Sequence, residues 1–334
     1  MAIDLTNNIK SFYEIPFNQP SFLVSPFIPA DALTILAGAS GCGKSSFISA
    51  LAAMLSLGKG LYGNAQPPAR ILICSAEDNY DGSIKCRLDC AEADEYNIFA
   101  ITDEDCSTYP FDILLEALKD TIKANKINLV ILDPITSFLG NININKSHEV
   151  RKCLISLQKL AKQTSCAILG IAHYNKSQKT TILSNKILGS SEFFNVPRSV
   201  VLISYHPYEQ SRRVLINIKN SFIDSDTMLS YKLHHGLIKD VKSETIPQSV
   251  LLDAQNPKKQ SKLTKAINWL SDILQNGPVN VTDIKQMCEA QDFSYSYVQQ
   301  TAKVALGVAS RWGQDGKKHE WYLPDQDNAN DNNE

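Results

Sequence analysis

Several common signatures are missing from this 334-residue chain, and each absence narrows what it can do. No stretch approaches the roughly 18 uncharged apolar residues that a membrane-crossing helix needs. The opening, MAIDLTNNIKSFYEIPF, also lacks a basic segment followed by an apolar one. The expectation is a cytoplasmic protein with no membrane partner. Eight cysteines are present (Cys42, Cys74, Cys86, Cys90, Cys106, Cys153, Cys166 and Cys288), yet none forms a CxxC pair or a CxxC…HxxxH spacing. No zinc site is indicated, and these residues read as small buried hydrophobes. An excess of one charge is lacking too. The net charge of −2 is no signature of a nucleic-acid binder, so any such contact must come from local patches.

What is present is ample apolar content, 43% of residues, enough for an ordinary buried core. From Leu33 to about Lys232 short apolar runs alternate with amphipathic stretches, the pattern of a mainly parallel α/β sheet with helical crossovers. Strands are expected over 33–37, 70–75, 97–101, 128–132 and 166–171, with helices over 45–57, 81–90, 111–124 and 147–163. Three further strand-like runs, 199–204, 213–219 and 228–233, follow without helices and suggest an antiparallel extension. Past His235 the texture turns polar, and residues 244–262 read as a linker that closes a first domain of residues 1–243. Residues 263–324 then return to a helical pattern, LTKAINWLSDIL, VTDIKQMCEAQ and SYSYVQQTAKVAL, ending in the strand-like HEWYLP. Three helices plus a hairpin is the winged-helix plan. The last ten residues, DQDNANDNNE, are acidic and amide-rich and read as a disordered tail.

The strongest chemical signal is Gly38-Ala39-Ser40-Gly41-Cys42-Gly43-Lys44-Ser45, which fits GxxxxGK[ST] between a candidate strand and a candidate helix. Its glycines let successive N–H groups turn inward toward phosphates, and the following helix, entered through Ser45 and Ser46, adds its N-terminal partial charge. In this pattern Lys44 reaches the β- and γ-phosphates of ATP and Ser45 holds Mg²⁺. A second signal is the apolar run Leu129–Leu132 ending in Asp133, whose carboxylate would reach the Mg²⁺ shell. Pro134 follows it, so no adjacent carboxylate is available to polarise water. Glu77, after the candidate strand LICSA, lies at the sheet edge where open α/β folds bind ligands and is the candidate base. Asp78 competes for that role, and both carboxylates could instead cap the next helix.

The series GASGCGKS, SAED, VILDP, IAHYNKS and LGSS…R resembles the RecA-like hexameric helicases of the plasmid RepA type and related phage and plasmid ATPases, over roughly residues 20 to 235. The resemblance implies that Glu77 is the catalytic base and that His173 senses the γ-phosphate. It also implies that Arg198, nine residues past Gly189, is a finger entering a neighbour's site. The bland alternatives are a hydrogen-bonded surface histidine and an intramolecular salt bridge. Lys219 is a candidate second cation acting in trans. The C-terminal segment resembles one appended to several phage and plasmid members, although the compact plasmid helicase lacks it.

In RecA-like rings two loops line the central channel. Here they correspond to residues 137–147, with Lys146, and 174–188, with Lys176, Lys179 and Lys186, suited to tracking a phosphate backbone. In the C-terminal segment Tyr295, Tyr297, Gln299, Gln300 and Lys303 stand where a winged helix reads a groove, although such units also dock proteins. The combined expectation is an ATP- and Mg²⁺-dependent hexameric motor on single-stranded DNA, with a primase or replication initiator as candidate partner. A filament-forming recombination or repair ATPase and a nucleotide-gated DNA-binding regulator or loader are the rival readings.

Overall fold

A computed structural model describes residues 9–101, 108–174, 190–209, 211–224, 227–247, 250–251, 257–291, 293–313 and 319–324, with 257–261 as backbone. A short antiparallel pair, β1 (Phe22–Val24) and β2 (Ile28–Pro29), precedes the main sheet. The sheet's strands are β3 (Leu33–Gly38), β4 (Ile71–Ser75), β5 (Ile98–Ala100), β6 (Leu129–Asp133), β7 (Ala167–His173), β8 (Ser199–Tyr205), β9 (Arg212–Asn220), β10 (Met228–His234) and β11 (Leu237–Glu244). Helices α1 (Lys44–Ser56), α2 (Lys85–Cys90), α3 (Phe111–Asn125), α4 (Ser147–Thr164) and the one-turn α5 (Glu192–Asn195) lie between them in sequence.

The nine strands run in the order β11-β10-β9-β8-β3-β7-β6-β4-β5. From β8 to β5 all pairings are parallel, and β9, β10 and β11 add antiparallel strands at one side. This is the expected mixed α/β core with a mostly parallel sheet, consistent with a RecA-like P-loop fold. Strands β3, β6 and β7 are near-continuous apolar runs because they are covered on both faces. Alternate residues feed two cores: Leu33, Ile35, Val130 and Ile168 pack on one face with α3 and α4, and Leu36, Ile131 and Leu169 pack on the other with α1 and α2. Gly170 breaks the β7 run for a steric reason. A Cβ there would stand 2.5 Å from Ile135 Cδ1, in the 3-10 turn (Ile135–Phe138) that follows β6.

Four expectations need correction. The run at 199–204 is not part of the antiparallel extension, since β8 pairs in parallel with β3 inside the sheet. The helix expected from Asp81 begins as a π turn (Tyr80–Ile84), with the Asn79 side chain accepting the Asp81 N–H, and becomes α-helical only at Lys85. Cys86 and Cys90, read as buried, are exposed one turn apart on α2. Finally, the stretch read as linker begins inside β11, and its Ile246, Val250 and Leu251 are buried in the first core.

A second unit follows. Helices α6 (Pro257–Leu274), α7 (Val281–Ala290), α8 (Tyr295–Gln300) and α9 (Ala302–Ala305) surround Leu270, Leu274, Ile284, Val298 and Trp321. Strands β12 (Val279–Asn280), β13 (Ala309–Trp312) and β14 (His319–Tyr322) form an antiparallel sheet in the order β12-β14-β13. α6 starts on a proline within the segment read as linker, a residue that suits the first helical position because its missing N–H would be unpaired anyway. No described helix is long and apolar enough to cross a membrane.

Candidate nucleotide site

The site forms where the parallel strands end. Gly38 closes β3, and after the loop α1 begins at Lys44, with Gly43 left-handed at its N-cap. The first helical bond runs from Phe47 N–H to the Gly43 carbonyl, so the N–H groups of Lys44, Ser45 and Ser46 have no helical acceptor. Three such donors at a helix N-terminus favour an anion. Gly41 and Gly43 have φ of +77° and +95°, which side chains resist, so both glycines are required by the turn. Gly38 is required for space, because a Cβ would lie 2.7 Å from the Ile203 carbonyl. The Lys44 ammonium is buried and donates to the carbonyls of Gly38 and Ala39, both at 2.9 Å.

Strand order decides what meets the loop. β7 lies between β3 and β6, so His173, level with Gly38, stands between the loop and Asp133. Asp133 is in register with Ser75, the last residue of β4, and Glu77 follows two residues on. His173 Nε2 approaches Glu77 Oε2 at 3.6 Å. Lys44, Glu77, Asp133 and His173 are thus brought to one edge.

The two competing carboxylates are in different situations. Asp78 is bound at 2.6 Å by Arg87 Nη1, and its N–H donates to Ser75 Oγ. Glu77 is 59% exposed, and its one ion-pair contact among the described residues is with the histidine, which leaves its carboxylate open to water. This favours Glu77. Arg87 itself was not singled out in the sequence, since a partner nine residues away across an irregular turn leaves no local pattern.

Asp133 is almost fully buried, and its carboxylate accepts no hydrogen bond among the described residues. Burial first, then the negative charges of Glu77 and Asp78, push its pKa up to about 6, against the opposing pull of Lys44 and Arg87. A buried carboxylate in this condition favours a cation. No group of three or more His, Cys, Asp or Glu among the described residues could hold a metal. The donor set that fits Mg²⁺ is therefore two hard oxygens, Asp133 and the Ser45 hydroxyl, completed by nucleotide and water.

Arg198 is not at this edge. It precedes β8, and its N–H bonds the Leu33 carbonyl at the start of β3. At about 3.3 Å per residue, the five positions from Leu33 to Gly38 put it roughly 16 Å from the loop along the sheet. Arg198 is exposed and makes no ion pair among the described residues. Its neighbour Lys219 is engaged, donating to the carbonyls of Phe194 and Asn195 at 2.8 and 2.6 Å. Burial and the like charge of Arg198 hold the Lys219 ammonium below the usual lysine range.

Of the two loops, 137–147 begins with Phe138 and Leu139 buried, and Lys146 is paired with Glu149 at 3.1 Å. Lys176, Lys179 and Lys186 lie outside the described residues, as does Gly189. In the C-terminal unit the Tyr295 ring stacks on Trp321, and Lys303 lies over the Trp321 ring at 4.6 Å, so both serve packing. Tyr297 is half-buried with Lys262 over its ring. Gln299 and Gln300 remain exposed.

Among curated proteins none matches the chain significantly. A family model described as AAA domain matches residues 7–179, more than half of the chain and the whole stretch from the loop through Asp133 and His173. By that match the chain belongs to this AAA-domain family, and it is an ATPase of the P-loop type.

Proposed function

We propose that the chain assembles into a closed ring, a hexamer, in which ATP hydrolysis drives movement along single-stranded DNA. That is the task of the phage and plasmid replicative helicases its sequence resembles. In this reading Lys44 and the unpaired N–H groups of the loop bind the phosphates. Bound at Ser45 and Asp133, Mg²⁺ would supply charge neutralisation for the phosphoryl group. Glu77 aligns and deprotonates the attacking water, and His173 reports the γ-phosphate from the end of β7. Arg198 stabilises charge in the site of an adjacent protomer.

The observation that carries the proposal is the placement of Arg198. An exposed arginine without an ion-pair partner among the described residues, beside a second cation and about 16 Å from its own loop, has no catalytic use within one chain. Across an interface it would have one. The C-terminal unit, with its helices and three-stranded sheet, supports a winged-helix reading and a role in DNA or partner contact. A chain ending at Gln255 keeps Ile246, Val250 and Leu251, so it should fold and bind ATP while losing part of its DNA affinity.

The test is electron microscopy of the protein with a slowly hydrolysed ATP analogue and single-stranded DNA, together with strand displacement on a forked substrate. Closed rings threaded by DNA and ATP-dependent unwinding are expected. Filaments would favour the recombinase reading, and DNA binding without unwinding would favour a regulator or loader.

A further inference from the structure

The outer side of the phosphate loop is held by two residues that no motif identifies. Tyr205 ends β8 and Arg213 is the second residue of β9, and the two are cross-strand partners. The Tyr205 hydroxyl donates to the Gly41 carbonyl at 2.8 Å, and Arg213 Nε donates to the Cys42 carbonyl at 2.9 Å. The guanidinium lies 4.1 Å above the Tyr205 ring, so each side chain fixes the other. A further bond, from Arg213 Nη1 to the Arg212 carbonyl at 3.0 Å, keeps the guanidinium turned toward the loop.

The strand ends that carry this pair are themselves anchored. Arg212 is 2% exposed and donates through Nε to Ser230 at 3.0 Å and through Nη1 to Asp240 at 2.5 Å. His206, next to Tyr205, accepts the N–H groups of Tyr208 and Glu209 on its Nδ1 and so holds the connecting turn. The clamp thus projects from paired, anchored strand ends rather than from a loop.

Its effect follows from peptide geometry. In a planar trans peptide the C=O and the next N–H point in opposite directions. With the Cys42 carbonyl drawn outward by Arg213, the Gly43 N–H is turned inward, where it has no acceptor among the described residues. With the Gly41 carbonyl drawn outward by Tyr205, the Cys42 N–H closes the turn on the Ala39 carbonyl at 3.3 Å. A loop of glycines would otherwise let these peptides flip. A charged donor on the carbonyl also polarises the peptide and strengthens its N–H toward an anion.

We propose that Tyr205 and Arg213 are positioning residues that preset the loop for the nucleotide's phosphates, leaving the base and the hydrolytic step untouched. The inference rests on the ATP-site reading and deepens it.

The test uses the full chain, with ADP and GDP binding by calorimetry and steady-state ATP hydrolysis. Arg213→Ala should weaken ADP and GDP alike, by about tenfold to a hundredfold for loss of a charged hydrogen bond. KM for ATP should rise by a similar factor with kcat nearly unchanged, as expected when binding shared by ground and transition states is removed. Tyr205→Phe keeps the stacked ring and loses one neutral bond, so about a twofold to tenfold loss is expected. Arg213→Lys should recover part of the loss, because an ammonium can still reach the Cys42 carbonyl over the ring. Unchanged ADP affinity in Arg213→Ala would overturn the inference. So would a loss confined to one base, or a lower kcat at unchanged KM matching a reduced folded fraction in thermal melts. Lys44→Ala is the control: if it bound ADP as the wild type does, the nucleotide site itself would be misplaced.

Discussion

The two ends of the parallel strands differ in how their charges are balanced. At the end where β3, β4, β6 and β7 finish, the charged groups lie within reach of one another: Asp78 pairs with Arg87, Glu77 approaches His173, and Asp133 feels Lys44 against the negative charges of Glu77 and Asp78. At the start of β8, Arg198 has no ion-pair partner among the described residues, and its like charge acts on the neighbouring Lys219. The first end is a site nearly complete in one chain. The second holds a solvated cation, to which the proposed assembly would give a task in another chain's site.

The comparison can be broken in three places. The largest effect is expected from Arg198→Ala. ATP binding measured by calorimetry should be retained while kcat falls by about 10³–10⁵-fold, the usual worth of an arginine finger. Full hydrolysis would make the residue a bystander. Next comes the choice between carboxylates. Glu77→Gln should bind ATP and slow single-turnover hydrolysis by about 10²–10⁴-fold, whereas Asp78→Asn, which only weakens the contact with Arg87, should cost far less. The reverse order would move the base to Asp78. The smallest effect belongs to Lys219→Gln, which loses hydrogen bonds to the carbonyls of Phe194 and Asn195. Thermal unfolding should show a loss of about 1.5–3 kcal/mol, the range for charged hydrogen bonds, with the ATPase rate little changed. A rate loss like that of Arg198→Ala would make Lys219 a second residue acting across the interface.

Much of the parallel core was legible because its strands are buried on both faces and so read as apolar runs, and because the phosphate loop has a fixed glycine spacing. Lys44, Asp133, Glu77 and His173 come together for the same reason: each terminates or closely follows a strand of one parallel sheet. β11 escaped notice because an edge strand has one partner and little apolar surface, and its LIKDVKSE alternates charges where a core strand would carry aliphatics. The clamp was invisible for another reason. Tyr205 and Arg213 belong to no local motif, and their role exists only once β8 has been inserted beside β3. The proline opening α6 was a readable signal for a helix start within the polar segment. In the C-terminal unit, aromatic residues placed on the reading face turned inward, since Trp321 needs partners more than the surface needs rings.

The account's central claim is that hydrolysis needs two chains, and mixing two inactive variants tests it most directly. Arg198→Ala keeps its phosphate loop and lacks the cation. Lys44→Ala keeps the cation and lacks a working loop. In mixed assemblies some interfaces pair the intact loop of the first with the intact Arg198 of the second, so part of the ATPase activity should return. It should peak at intermediate mixing ratios. If Arg198 acts only within its own chain, no ratio restores activity, and absence of rescue with subunit exchange confirmed by a label would contradict the account.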